Sequence, residues 1–214
     1  MDRIRKKNNS MIGIIDYGLG NVGAISNIYN KLKIQNIIIK STKDFLKVDK
    51  LILPGVGAFD SAVNLLINSN FYGEIENQVF KEKKYILGIC VGMQIFSEDS
   101  TEGQCAGLKW IDASVKKLNI GENSKNFRLP HMGWNSIKVI KKNLLFNNIE
   151  DNEYFYFCHS YFFECKNKSN ILAETKFNQT FASVVQNENI YGIQFHPEKS
   201  HESGIKILNN FAEL

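Results

Sequence analysis

Short apolar runs alternate with amphipathic stretches through the first half of the chain. Met11–Ile15 (MIGII) is a continuous apolar run of strand length, the pattern of a strand buried on both faces. Beyond the turn residues Asp16-Tyr17-Gly18-Leu19-Gly20, apolar positions recur at Val22, Ile25, Ile28, Tyr29 and Leu32, the spacing of one helix face. Ile37–Ile39 and Leu51–Leu53 read as further strands, the latter ended by Pro54-Gly55. Ala62–Ile67 reads as helix, Tyr85–Ile89 as a strand running into Cys90, and Met93–Phe96 as helix. This β-α-β-β-α-β-α order with continuous apolar strands predicts a mostly parallel sheet flanked by helices.

After Trp110 the texture changes. The runs Trp134–Ile140, Tyr154–Phe157, Phe181–Val185 and Ile190–Phe195 are aromatic and alternating, which predicts antiparallel pairing. A helical spacing returns at Ile205, Leu208 and Phe211 within Glu202–Leu214. The fold class predicted is therefore α/β, a mostly parallel sheet with added antiparallel strands, in a single domain over residues 11–214.

Composition narrows the picture. The 214 residues are enough to bury a core without disulfides. The formal charge of +4 is concentrated in the opening MDRIRKKNNS, where Arg3, Arg5, Lys6 and Lys7 outnumber Asp2. The remainder is near neutral, so no nucleic-acid groove is indicated. Residues 1–10 read as a polar basic extension. They precede an apolar run too short for a secretory signal, and no run reaches membrane-spanning length. The cysteines, Cys90, Cys105, Cys158 and Cys165, form neither C-x-x-C nor a zinc-ligand pair. Free thiols in the cytoplasm, with no metal and no cofactor, are expected.

One thiol stands apart. Gly88-Ile89-Cys90-Val91-Gly92 joins a strand to a helix and fits the nucleophile-elbow pattern, with Cys as nucleophile. A sharp strand-to-helix corner strains its central residue, and flanking glycines remove side chains that would clash there. The N–H of Val91, at the helix start, becomes an oxyanion donor. Taken alone, such a cysteine is ordinary packing. Gln194-Phe195-His196-Pro197-Glu198 ends another strand. Residues two apart on an extended chain share a side, so Glu198 can orient His196, and Pro197 holds His196 out of helical geometry. A base oriented by a carboxylate completes a Cys-His-acid triad. The loop Pro54-Gly55-Val56-Gly57 ends the third strand. At the carboxyl edge of the same sheet it can turn a second N–H toward an oxyanion.

LPGVGAF, GICVGMQ and QFHPEKS together resemble the class I (triad) glutamine amidotransferases. Asp16-Tyr17-Gly18-Leu19-Gly20-Asn21, Pro130-His131-Met132-Gly133-Trp134-Asn135 and His159-Ser160-Tyr161 extend the resemblance to one branch, the glutaminase subunits of imidazole glycerol phosphate synthase. The resemblance spans residues 11–214 and implies a flavodoxin-like sheet. It implies Cys90 as nucleophile, His196 as general base and acid, and Glu198 as the orienting carboxylate. It also implies oxyanion donors near Val56, Gly57 and Val91, and glutamine-positioning groups at Gln94, Ser160 and Tyr161. A (β/α)₈-barrel cyclase partner is implied, receiving ammonia in a heterodimer through contacts at Asn21, Trp134, Tyr156 and Lys199. The family further implies an oxyanion loop that rests misaligned until the partner and its ligand are bound.

Val91 stands where the family more often has Leu, which leaves the N–H unchanged. Phe162-Phe163-Glu164-Cys165 is unusually apolar for the branch. These departures leave open a related subunit that supplies ammonia for amidination of a surface-polysaccharide or flagellar sugar. A stand-alone γ-glutamyl hydrolase is a further alternative, and a non-catalytic subunit with a relic site a third. The relic reading requires a missing triad member, and none is missing.

Overall fold

A computed structural model describes residues 10–121 and 128–214 of the chain. Apart from Ser10, the basic extension lies outside the described residues. The first half runs β1 (Ile12–Ile15), α1 (Val22–Lys31), β2 (Asn36–Ile39), β3 (Lys50–Gly55), α2 (Phe59–Ile67), α3 (Tyr72–Glu76), β4 (Tyr85–Cys90) and α4 (Val91–Gln94). The second half adds β5 (Asp99–Ser100), β6 (Ala113–Lys117), β7 (His131–Ser136), β8 (Lys138–Val139), β9 (Tyr154–His159), β10 (Tyr161–Cys165), β11 (Ile171–Phe177), β12 (Gln179–Asn187), β13 (Ile190–Ile193) and α5 (His201–Glu213).

The main sheet runs β2-β1-β3-β4-β13-β12-β10-β6-β5, with β11 and β8 attached beside β12. Its first five strands are parallel. Every residue of β1, β3 and β13 is buried, which explains their apolar runs; Lys50, the first residue of β3, donates through its ammonium to the Ala212 carbonyl. The helices cover the faces. Within α1, Ile25 and Tyr29 point inward, and the Tyr29 hydroxyl donates to the Leu208 carbonyl of α5 at 3.1 Å. The side chain of Asn21 caps α1 by accepting from the Ala24 N–H.

One sequence expectation changes here. The aromatic, alternating pattern groups Ile190–Ile193 with the antiparallel strands, yet it pairs parallel with β4 on one side and antiparallel with β12 on the other. Its side chains are buried on both faces, as an interior position demands, so its hydrophobicity carries no information about direction. That placement sets β13 beside β4 and brings the ends of both strands together. The strands β7 and β9 leave the main sheet and form a separate antiparallel ribbon. Phe155 of this ribbon stacks on Phe195 at 4.1 Å, clamping the ribbon to the segment beyond β13. Such a pair adds about 1 kcal/mol beyond its buried area.

Candidate active site

Cys90 sits at the corner between β4 and α4 with φ 55° and ψ −113°. A non-glycine residue there costs about 1–3 kcal/mol and persists only where its surroundings impose it. The surroundings are backbone. A Cβ on Gly92 would lie 2.0 Å from the Leu53 carbonyl oxygen, and one on Gly55 would lie 2.4 Å from the Gly92 nitrogen. The glycines therefore let α4 press directly on β3 and drive the corner outward. Val91 is the first residue of α4, so its N–H has no partner within the helix and stays available for an anion.

The register aligns Gly55 with Cys90 and Ile193 with Ile89. One neighbouring strand thus delivers the Pro54–Gly57 loop to the sulfur, and the other delivers Gln194-Phe195-His196. His196 Nδ1 lies 3.0 Å from Glu198 Oε1, and both side chains are nearly sealed from solvent. The imidazole is also near enough to Cys90 for the sulfur to act on its proton. The route to Glu198 differs from the expectation of an extended chain. His196 is extended, but Pro197–Lys199 forms a single 3₁₀ turn that folds the carboxylate back onto the ring. The backbone of His196 is held as well. Its N–H donates to the Tyr156 carbonyl at 2.9 Å, and its carbonyl accepts from Ser200 Oγ at 2.6 Å.

Burial lowers the proton affinity of His196, but the hydrogen bonds and charges of Cys90 and Glu198 outweigh it. The net effect pushes the imidazole from 6.5 up to about 10. Behind the sulfur, the buried Tyr17 hydroxyl is held neutral, first by burial and then by the nearby Cys90.

A cavity of about 410 Å³ opens onto this corner. Val56, Gly57, Cys90, Val91 and His196 line its reactive side. Gln94, Ser160, Tyr161 and Lys199 line it as well, so the residues expected for chemistry and for positioning share one space. Among the groups at this site that the sequence did not mark as site residues are Glu102, Gln194 and His159, the last also in the cavity wall. Glu102 lines the cavity and accepts the Phe59 N–H at 2.9 Å, bracing the chain just beyond Gly57. Gln194 is buried, accepts from Gln94 Nε2 at 3.0 Å and points its own Nε2 at the sulfur, 3.8 Å away. The Gln of Q-F-H-P-E was a visible signal for the second. Nothing local marked Glu102. Another cavity, of about 450 Å³, is lined by Cys105 and its neighbours between Glu98 and Lys109 and contains no histidine. Among the described residues no cluster of His, Cys, Asp and Glu can hold a metal.

The residues selected for partner contact gather elsewhere on the same rim. Trp134 is 46% exposed, which excludes core packing for it. Its ring lies 6.2 Å from that of Tyr156, and Lys199 Nζ lies 5.6 Å above the Tyr156 ring. His201 is exposed, as a solvated surface residue would be, but it stacks on Trp134 at 5.1 Å. Asn21 makes no such contact. It caps α1, whose body packs against the Pro197–Lys199 turn.

Sheet order, elbow and Cys-His-Glu pocket together define a class, and comparison with known proteins agrees. The glutamine amidotransferase class-I family model matches residues 13–214. The chain belongs to the class I glutamine amidotransferase family and is an enzyme of that class. It is 43% identical to a protein of Leptospira borgpetersenii named imidazole glycerol phosphate synthase subunit HisH, over 95% of this chain and 100% of that one. It is 45% identical to subunit HisH 2 of Methanococcus maripaludis, over 94% of this chain and 98% of that one. Among solved structures, a putative GMP synthase subunit from Thermoplasma acidophilum superposes with a TM-score of 0.70 at 20% identity, covering 95% of this chain and 92% of that chain. The PurLQS structure from Thermotoga maritima superposes with a TM-score of 0.68 at 16% identity, covering 96% and 98%. These two likenesses concern the fold.

Proposed function

We propose that this protein is the glutaminase subunit of an imidazole glycerol phosphate synthase, with Cys90, His196 and Glu198 as its catalytic triad. The observation that carries the reading is the strained Cys90 corner, sharing one cavity with a histidine that Glu198 grips at 3.0 Å. The resemblance to HisH subunits over nearly the whole chain supports the choice of pathway.

Cys90 gives its thiol proton to His196, and the sulfur attacks the side-chain amide carbon of glutamine. The oxyanion that forms is received by the N–H of Val91 and by the Val56-Gly57 loop. His196 protonates the departing nitrogen, ammonia leaves, and a γ-glutamyl thioester remains on Cys90. His196 then takes a proton from water, whose oxygen attacks the thioester carbon, and glutamate departs as the thiol is restored. Glu198 keeps the ring aligned and balances its positive charge. Gln94, Ser160 and Tyr161 position the substrate. The carboxylate of Glu102, which lines the same cavity, suits the α-ammonium of a free amino acid.

The ammonia passes to a (β/α)₈-barrel cyclase in a heterodimer. An exposed apolar face on the ribbon supports that contact. Met132, Trp134 and Tyr154 are each about half exposed or more, and Tyr156 and Lys199 continue the face to the pocket rim. The free thiols of all four cysteines support a cytoplasmic setting. Relatives named HisH 1 and HisH 2 occur, and those numbered copies are what favours a second reading, ammonia supply for sugar amidination.

The test is glutamate release with and without a barrel-type cyclase and its ribonucleotide ligand. The reading predicts strong stimulation by the partner and formation of imidazole glycerol phosphate. Stimulation without that product favours sugar amidination. Rapid turnover of γ-glutamyl peptides by the chain alone contradicts both.

A further inference from the structure

Two buried histidines, His131 and His159, take no part in the chemistry above, although His159 also contributes to the wall of the cavity. His131 lies on β7 and His159 at the end of β9, paired across the ribbon. Their rings meet edge to face, with His131 Nδ1 3.0 Å from His159 Nε2. His131 is also stacked between Phe157 at 4.9 Å and Phe177 at 4.0 Å.

The neighbours of the pair fix every proton. His159 Nδ1 lies 2.8 Å from the Tyr161 carbonyl, which can only accept, so this nitrogen carries the hydrogen. His159 Nε2 is then bare if the ring is neutral, and it accepts from His131 Nδ1–H. His131 Nε2, bare in turn, accepts from Asn135 Nδ2 at 3.2 Å. The second hydrogen of Asn135 Nδ2 goes to the Lys176 carbonyl at 3.0 Å. All hydrogens run one way, from Asn135 to His131 to His159 to Tyr161. A proton added to His159 would set two N–H groups face to face.

The chain of bonds continues into the pocket. The Tyr161 carbonyl also accepts from Gln94 Nε2 at 2.9 Å, and Gln94 Nε2 donates its other hydrogen to Gln194 Oε1. Gln194 Nε2 in turn faces the Cys90 sulfur. With both Nε2 hydrogens committed, Gln94 is left with Oε1 as its free hydrogen-bonding atom, in the wall of the cavity.

We propose that His131 and His159 are positioning residues for the glutamine pocket: a one-way relay of two neutral imidazoles that transmits the placement of the β7–β9 ribbon to the Tyr161 carbonyl and to Gln94. The proposal rests on the glutaminase reading, and it gives the ribbon, whose outer face is the apolar one, a direct connection to substrate binding. Burial supports it, driving His131 down to about 4 and His159 down to about 3. The titratable groups acting on His159 are His131 and His196, while burial alone acts on His131. Tyr161 and Lys176 present only backbone carbonyls to the chain of bonds.

The experiment compares His159→Asn with His159→Phe in the full chain bound to its barrel-type partner, with glutamine as substrate. Asn retains a donor where Nδ1 stands, and Phe retains only the ring shape. His159→Phe should raise the glutamine KM about tenfold, the loss of one buried hydrogen bond, with kcat falling less than about threefold. His159→Asn should stay within about threefold of the unaltered protein in KM. Equal KM values for the two variants, or an unmoved KM in His159→Phe, would overturn the relay. Should either variant fail to fold, ¹⁵N NMR of the unaltered protein decides. Both rings should show the Nδ1–H tautomer and remain neutral from about pH 5 to 8. Titration of either ring in that range, or an Nε2–H tautomer, overturns the proposal. Glutamate release and Cys90 labelling in the same unaltered preparation separate the two layers. If they fail, the glutaminase reading falls. If they hold while KM and tautomers disagree, only the relay falls.

Discussion

His196 and the His131–His159 pair are equally hidden, at 4%, 4% and 6% exposure, yet they are driven in opposite directions. His196 rises to about 10, while His131 and His159 drop to about 4 and about 3. Burial disfavours the charged ring in all three cases. The difference lies in what each ring touches. His196 meets a carboxylate and a sulfur, whereas the pair meets a carbonyl, an amide, aromatic faces and another imidazole. One ribbon carries the uncharged histidine pair and also holds, through the Tyr156 carbonyl, the backbone of the histidine beside Cys90.

Removing the sulfur should break this contrast most severely. Cys90→Ala is expected to lower glutamate release by about 10⁴-fold or more, since the nucleophile and its base act as a unit. The same change removes the sulfur that helps to raise His196, so the ring should titrate at lower pH by NMR. Residual turnover within tenfold of the unaltered protein contradicts the assignment.

Glu198→Gln should come next. It preserves shape but removes the charge that aligns and stabilises the imidazolium. A loss of about 10²–10⁴ in kcat is expected. In the unaltered protein the alkaline limb of kcat/KM should lie toward pH 10, and in the variant it should move down. An unmoved limb would show that Glu198 does not support the ring.

The smallest effect concerns stability, and here the two systems differ in sign. The folded state binds the His196 proton more tightly than the unfolded chain does. That contribution is fully present below pH 6.5 and is lost as pH rises toward about 10. The pair behaves oppositely. Below pH 6.5 the unfolded chain takes up protons that the folded rings refuse, so stability falls as pH drops toward about 4 for His131 and about 3 for His159. Melting temperatures against pH should flatten by a few degrees on the alkaline side in His196→Asn, and on the acid side in His131→Phe. Slopes changed on the wrong sides contradict the assignment of charge.

Much of this architecture was legible in the amino-acid order. The strands of the parallel half announced themselves because interior parallel strands are apolar on both faces, as in MIGII and the LIL of β3. The elbow was legible because a corner of this kind requires Gly88 and Gly92 around its nucleophile. The second half was harder. β11 (ILAETKF) mixes buried positions with exposed polar ones and shifts register against β12, so neither its length nor its pairing followed from alternation. β13 disguised its direction because burial on both faces looks the same either way. Glu102 escaped because its role depends on a contact with Phe59, 43 positions away. The relay escaped for the same reason, since its bonds join β7, β9, β10 and α4 through rings and amides that no local pattern connects.

The central claim is that glutamine's amide carbon is attacked by one particular sulfur among four. A glutamine-like electrophile, followed by peptide mass spectrometry, tests it in a single measurement on the partner-bound protein. The prediction is one equivalent of adduct on the peptide containing Cys90, blocked by excess glutamine, with Cys105, Cys158 and Cys165 unmodified. Glutamine-protected adduct on any of those three with Cys90 untouched would contradict it.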